Sequence, residues 1–246
     1  MSNTEEKRMV SGIPVAESIP FKGIKKMMAE RLLKSNLTAA VVPVVMRAIE
    51  VRESLAFAKN IQKHEKSKEI RVTFNHLLIK AVAFALNEVP LLNSSLVENE
   101  IIIFEDKNIN FAVALENAVL MVPVIHQVDK KTIWEVVQKA NELTEKAKTG
   151  KLKLEDVSRG TFTMTNGGQL GSDLGCGIIN QPQSCIMTIS RIIEKPVVRD
   201  GQIVIRPMMN ATISYDHRIL SGRPALDFLR AFERVMGEPE KYDWGI

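Results

Sequence analysis

Residues 211–218 read Ala211-Thr212-Ile213-Ser214-Tyr215-Asp216-His217-Arg218, an apolar and polar alternation that runs into a charged triplet centred on a histidine. Such alternation is the period of a half-buried β-strand, and the β-rich run reaches back to Gln202. Downstream, residues 222–236 return to helical spacing, with Leu226, Leu229 and Val235 on one stripe. A strand that hands a charged turn to the start of a helix is a unit of α/β architecture, and strand ends in α/β sheets are where ligands bind.

Working back from that stretch, Arg199-Asp200-Gly201-Gln202 puts an Asp-Gly pair between two β-rich runs, the signal of a tight hairpin. Further β-rich runs cover residues 185–194 and 160–165, with shorter ones at 119–125, 108–115, 100–105 and 41–51. A long helix is expected over 131–149, closing at Gly150. Residues 73–89 form a helix apolar on most sides, hence buried, and stopped by Pro90. Helical periodicity also covers 52–66. An amphipathic surface helix from Ile24 carries Ile24, Met27, Met28, Arg31 and Leu32 inward and Lys25, Lys26, Glu30 and Lys34 outward. Residues 1–16 lack apolar periodicity and read as a flexible lead, and residues 17–246 as one α/β domain without repeats or low-complexity tracts.

The 246 residues are 45% hydrophobic and 25% charged, ordinary values for a globular chain long enough to close its own core. The net charge of +4 is mild and its basic residues are interleaved with acids, which argues against a nucleic-acid binder. The longest apolar runs, residues 39–46 and 118–125, each contain a proline and fall far below the roughly 20 residues of a membrane helix. A polar N-terminus with Glu5, Glu6, Lys7 and Arg8 leaves no signal peptide, so a cytoplasmic location is expected. Cys176 and Cys185 match neither a disulfide framework nor a metal-ligand spacing, which implies a reducing compartment and no metal.

The sequence lacks a G-x-S-x-G elbow, a phosphate-binding G-x-x-x-x-G-K-[ST] loop and an H-E-x-x-H helix, so hydrolase, NTPase and zinc-protease readings lose support. Gly167-Gly168-Gln169-Leu170-Gly171 has the wrong spacing for a dinucleotide fingerprint and reads as a mobile loop after a strand. Four histidines remain as acid-base groups. His64 lies in a charged run and reads as surface, His76 starts the buried helix and reads as structural, and His126 follows a strand end. His217 sits at a strand exit between Asp216 and Arg218, a context that suits either a base or a structural histidine. Thr161-Phe162-Thr163-Met164-Thr165-Asn166 is a second polar-ended strand, offering the Thr165 hydroxyl 52 residues before His217. A histidine base and a hydroxyl donor are the minimum for moving an acyl group between thiols.

From Ile19 to the C-terminus the sequence resembles the catalytic domain of the dihydrolipoamide acyltransferase component of 2-oxo acid dehydrogenase complexes. The resemblance runs through residues 19–26 (IPFKGIKK), a helix expected through Leu92-Asn93-Ser94-Ser95-Leu96, Val122-Pro123-Val124-Ile125 with Asp129-Lys130-Lys131, residues 160–166, Ile178-Ile179-Asn180-Gln181-Pro182-Gln183, and Ser214-Tyr215-Asp216-His217-Arg218. It implies a two-layer chloramphenicol acetyltransferase-like α/β fold with a mixed β-sheet flanked by helices. It further implies that His217 is the general base that deprotonates the attacking thiol of dihydrolipoamide or coenzyme A, and that Thr165 hydrogen-bonds the tetrahedral oxyanion. Coenzyme A is then a substrate and the lipoyl group is supplied in trans by a lipoyl carrier. Other complex subunits are partners, and the site lies between subunits of a homotrimer that can build larger hollow assemblies. Tyr242, Trp244 and Ile246 are apolar tail residues available either for contacts between trimers or for packing on their own subunit.

Three departures stand out. The family motif continues Asp-His-Arg-x-x-Asp-Gly, and here the second Asp is Ser221, which supplies no charge and also fits a helix N-cap. Ala39-Ala40-Val41-Val42 replaces a Pro-His pair that lines the family's substrate channel. Residues 1–16 are too short for the lipoyl and subunit-binding domains that precede this domain in ordinary chains. The expected activity is therefore acyl transfer between dihydrolipoamide on a separate carrier and coenzyme A. The alternatives are coenzyme A-dependent transfer to a non-lipoyl acceptor, or a catalytically silent assembly scaffold.

Overall fold

The structure is a computed structural model that describes residues 42–115 and 120–246, with Met9–Val10, Ile13–Pro14, Gly23, Lys26, Met27 and Glu30. Most of the expected lead and of the surface helix after Ile24, and residues 39–41 of the Ala-Ala-Val-Val segment, lie outside the described residues. Within the lead, β1 (Met9–Val10) pairs antiparallel with β2 (Ile13–Pro14). Lys26, Met27 and Glu30 are helical, and Met27, expected to face inward, is 67% exposed because none of the described residues covers it.

The order then runs β3 (Val44–Glu50), α1 (Arg52–Ile61), α2 (Phe74–Glu88), β4 (Ser94–Val97), β5 (Glu100–Ile103), β6 (Ile109–Phe111), β7 (Val113–Ala114), β8 (Leu120–Met121) and β9 (Val124–Ile125). It continues with α3 (Ile133–Lys148), α4 (Leu154–Val157), β10 (Phe162–Asn166), β11 (Cys185–Ile189), β12 (Ile193–Arg199), β13 (Gln202–Tyr215) and α5 (Gly222–Gly237). Seven strands form the main sheet, in the order β12, β13, β11, β10, β6, β9, with β3 on the other edge of β13. β10 is parallel to both β6 and β11, and the remaining pairs are antiparallel, so the sheet is mixed.

The period of two decides what each face does. Ile109, Phe111, Phe162, Met164, Cys185, Met187, Ile189, Ala211, Ile213 and Tyr215 point to the helical layer and belong to one core with α2 and α5. α2 buries ten of its fifteen residues, among them Leu77, Leu78, Ile79 and Leu86 at 0% exposure. Burying each such side chain is worth about 1.5–3 kcal/mol before chain entropy is set against it. The opposite face carries Asn110, Thr163, Thr165, Thr188, Thr212 and Ser214, and the segment 171–183 lies over it. Thr212 Oγ1 donates to the Gly175 carbonyl at 2.6 Å, Asn180 Nδ2 donates to Thr163 Oγ1 at 3.4 Å, and Gln183 Nε2 donates to Asn110 Oδ1 at 2.7 Å.

Most expected elements are present, with three corrections. The helix expected to run to residue 66 ends at Ile61, where apolar spacing gives way to Gln62-Lys63-His64-Glu65, and a separate 3-10 turn covers Glu65–Lys68. The helix expected through Leu92–Leu96 is instead β4, because Ser94 Oγ and Ser95 Oγ donate to the Leu91 and Pro182 carbonyls, both at 2.6 Å, and hold the chain extended. Leu226 is 38% exposed while Leu229 and Val235 are buried, since α5 turns Leu226 away from the sheet. Trp244 packs on its own chain, 3% exposed, with Nε1 donating to the Pro239 carbonyl at 2.7 Å and its ring 5.3 Å from Phe57 and 5.2 Å from Phe84.

The hairpin reading holds: Arg199 pairs with Gln202, and Asp200 and Gly201 turn the chain at φ of 50° and 76°. α3 starts at a reciprocal cap in which Thr132 Oγ1 accepts from the Glu135 amide at 3.2 Å while Glu135 Oε2 accepts from the Thr132 amide at 2.7 Å. Among the described residues no helix is long and apolar enough to cross a membrane.

Candidate active site

His217 stands on a turn braced from three sides. The Asp216 amide donates to the Ser184 carbonyl at 2.8 Å, tying the exit of β13 to the entry of β11. The Asp216 carboxylate, 5% exposed, receives the Arg218 amide at 3.0 Å and the Arg218 guanidinium at 2.6 Å through Nη2. Leu220 closes the turn from below, 1% exposed, with its amide on the Asp216 carbonyl at 3.0 Å. Charge-assisted bonds of this kind are short and strong when partly buried. His217 itself is exposed, with its ring 5.7 Å from that of Tyr215.

Thr165 is half-buried at the end of β10, on the face away from the helices. The next residue fixes the strand exit: Asn166 Oδ1 accepts from the Gly168 amide at 3.0 Å, and Asn166 Nδ2 donates to Asn75 Oδ1 in the first turn of α2 at 3.1 Å. The glycine-rich stretch that follows is not a free loop but a 3-10 turn, Gly167–Leu170, lying against the end of β11. A Cβ on Gly168 would sit 2.5 Å from the Ser190 carbonyl oxygen, so only glycine permits that approach.

The two residues are not together in one chain. Thr165 is in register with Thr188, and Thr188 with Thr212, whereas β13 runs the other way and delivers His217 five residues past Thr212. The three strand residues from Thr212 to Tyr215 span about 10 Å, and His217 stands in the turn beyond them. Ser221, the third candidate, stands at the N-cap of α5 with φ −85° and ψ 174°, exposed and without a side-chain capping bond.

The other histidines divide as their contexts suggest. His64 is exposed, its ring 5.3 Å from Trp134. His126 is half-buried, 3.5 Å from the Glu155 carbonyl. His76 Nδ1 accepts from the Thr73 amide at 3.1 Å, and burial pushes the imidazole down to about 4. Cys176 is exposed, and Cys185 is buried with its thiol pushed up to about 12. Among the described residues no cluster of three His, Cys, Asp or Glu side chains could hold a metal ion. Thr188 escaped the sequence reading. Its one signal there is a lone hydroxyl in the otherwise apolar run Cys185-Ile186-Met187-Thr188-Ile189.

The profile of the 2-oxoacid dehydrogenases acyltransferase (catalytic domain) family matches residues 14–242. The chain is 34% identical over 224 residues to the dihydrolipoyllysine-residue succinyltransferase component of the Haemophilus influenzae 2-oxoglutarate dehydrogenase complex, covering 91% of this chain and 54% of that protein. It is 36% identical over 222 residues to the lipoamide acyltransferase component of the Bacillus subtilis branched-chain alpha-keto acid dehydrogenase complex, covering 89% and 52%. It thus spans about half the length of the curated relatives it matches. Its fold superposes on Azotobacter vinelandii dihydrolipoamide acetyltransferase with a TM-score of 0.85 at 29% identity, covering 93% of this chain and 94% of the other. That enzyme has been studied for the roles of one serine, one histidine and one asparagine in its catalytic mechanism. A chloramphenicol acetyltransferase superposes at a TM-score of 0.52 and 11% identity, covering 83% and 94%, a likeness of fold alone. On sequence and fold together, the chain belongs to the family of 2-oxoacid dehydrogenase acyltransferase catalytic domains.

Proposed function

We propose that this chain is an acyltransferase core that moves an acyl group between dihydrolipoamide on a lipoyl carrier and coenzyme A. The observation that carries the reading is a spacing. In the Azotobacter vinelandii enzyme the studied serine precedes the histidine by 52 residues and the asparagine follows it by four. Thr165, His217 and Ser221 stand in this chain at those same intervals. Threonine for serine keeps the hydroxyl, and serine for asparagine keeps a short polar side chain.

In this mechanism the unprotonated His217 imidazole takes the proton of the attacking thiol, and the thiolate adds to the thioester carbonyl carbon. The carbonyl oxygen becomes an oxyanion, to which the Thr165 hydroxyl donates. Collapse of the tetrahedral adduct breaks the original carbon–sulfur bond, and the imidazolium returns its proton to the departing thiolate. The step is reversible, with coenzyme A and dihydrolipoamide exchanging roles. Because two strand spacings, about 10 Å of strand and a turn separate the two groups within a chain, His217 of one copy serves Thr165 of its neighbour, in a trimer whose partners are a lipoyl carrier and other subunits of a 2-oxo acid dehydrogenase complex. Larger hollow cores are the corresponding assembly.

The test is release of free coenzyme A from acetyl, succinyl and branched acyl donors in the presence of dihydrolipoamide, beside His217→Ala. Release that depends on His217 supports the reading and ranks the acyl groups. Absence of release with every donor overturns it, in favour of a non-lipoyl acceptor or a silent scaffold.

A further inference from the structure

Thr188 presents an anomaly on the sheet face that carries Thr165. It is 7% exposed, and its Oγ1 is buried without a hydrogen-bond partner. Buried hydroxyls are normally paired, and valine would fill the same shape without stranding a polar atom. The strand around it is apolar, with Cys185, Met187 and Ile189 all in the core.

The register gives the hydroxyl a neighbour. Thr165, Thr188 and Thr212 are level across three adjacent strands, on the face opposite the helices. Thr165 and Thr188 are level on parallel neighbouring strands, about 4.8 Å apart; the two hydroxyls make no hydrogen bond in the resting structure, but a turn of the Thr188 side chain brings its hydroxyl towards Thr165. Thr212 is already committed, donating to the Gly175 carbonyl at 2.6 Å. Among the described residues the Thr165 hydroxyl makes no hydrogen bond, so two adjacent hydroxyls are both free.

We infer that Thr188 is a positioning residue for Thr165: its hydroxyl, unpaired in the resting protein, turns about χ1 as the adduct forms and donates to Thr165 Oγ1, so that the Thr165 proton is directed at the oxyanion. This rests on the acyltransferase reading. A hydroxyl has one proton and two lone pairs, and Thr165 can give its proton to an oxyanion in only a few of its rotor states. A donor behind it selects those states and polarises the bond it makes. No covalent change occurs at Thr188, and no substrate touches it.

The experiment compares Thr188→Val, Thr188→Ser, Thr165→Val and the Thr165→Val/Thr188→Val double variant in purified protein. Thr188→Val should lower kcat about tenfold, the worth of one hydrogen bond in a transition state, with KM for both thiols unchanged. Its melting temperature should hold or rise, because an orphaned hydroxyl has gone. Thr188→Ser should restore kcat. The double variant should be no slower than Thr165→Val alone, since Thr188 acts only through Thr165. Wild-type kcat in Thr188→Val, or losses that multiply in the double variant, overturns the inference. If Thr188→Val melts lower and loses activity in proportion, the role is structural and the inference also fails, with Thr188→Ser as the folded control. Should Thr165→Val itself keep full kcat, the assignment of Thr165 to the site is at fault instead.

Discussion

Thr165 lies level with Thr212 across two strand spacings, while His217 stands in the turn at the far end of β13, two residues past Tyr215. Two strand spacings and about 10 Å of strand lie between them before the turn, more than a side-chain rotation closes. On the proposed acyltransferase reading, a strand reversal of that kind would defeat catalysis in an isolated chain and suits a site shared by symmetric copies, in which each copy presents a hydroxyl at one end and a base at the other.

Subunit mixing tests this directly. Thr165→Val and His217→Ala subunits, each nearly inactive alone, should regain activity when unfolded together and refolded in equal amounts. Each shared site needs an intact base from one copy and an intact hydroxyl from its neighbour, so random assembly restores about a quarter of the wild-type rate. Mixed assemblies confirmed by native mass measurement but still inactive would place both residues within one chain's site.

Ser221 gives a second prediction. It occupies the N-cap of α5 in extended backbone, yet its hydroxyl caps nothing. Ser221→Ala should therefore change the unfolding free energy from urea titration by less than about 0.5 kcal/mol, below the usual cost of losing a cap. Ser221→Asp, which restores the charge of the family motif, places a carboxylate at the positive end of a sixteen-residue helix. It should stabilise the protein by about 0.5–1 kcal/mol and raise kcat if the family charge supports the site. A stability gain without any change in kcat would assign Ser221 to the helix alone.

How much of this was legible in the sequence depends on range. Elements fixed by local signals were readable: the Asp200-Gly201 hairpin, the buried helix stopped by Pro90, and the strand leading to His217. Thr165 and His217 could be nominated because strand exits and motif resemblance are both local. Their separation could not, because it follows from β10 and β13 running in opposite directions, which no spacing records. The β4 strand was hidden for a similar reason, as Ser95 is held extended by the carbonyl of Pro182, 87 residues away. Lys80 is the sharpest case: a lone lysine in the buried helix α2, it is 2% exposed, with Nζ donating to the Lys131 and Val128 carbonyls and lying 4.9 Å from the Phe84 ring centre. Only tertiary placement supplies those carbonyls.

His76 gives the last prediction, on pH. It lies in the first turn of α2, 7% exposed, and its Nδ1 accepts the Thr73 amide. Protonation would remove that acceptor and bury a charge, and burial holds the folded pKa at about 4, below the ordinary histidine value of 6.5. Above the unfolded value both states are neutral, and the contribution of His76 to stability is complete. As pH falls from about 6.5 towards 4, the unfolded chain binds a proton that the folded one refuses, so stability is lost across that window. At about 1.4 kcal/mol per pKa unit, the loss is on the order of 3 kcal/mol. His76→Gln keeps an acceptor for the Thr73 amide but does not titrate. Urea midpoints at pH 7.5, 6 and 5 should fall more steeply for wild type than for His76→Gln, and parallel declines in the two proteins would show that other groups govern the acid sensitivity.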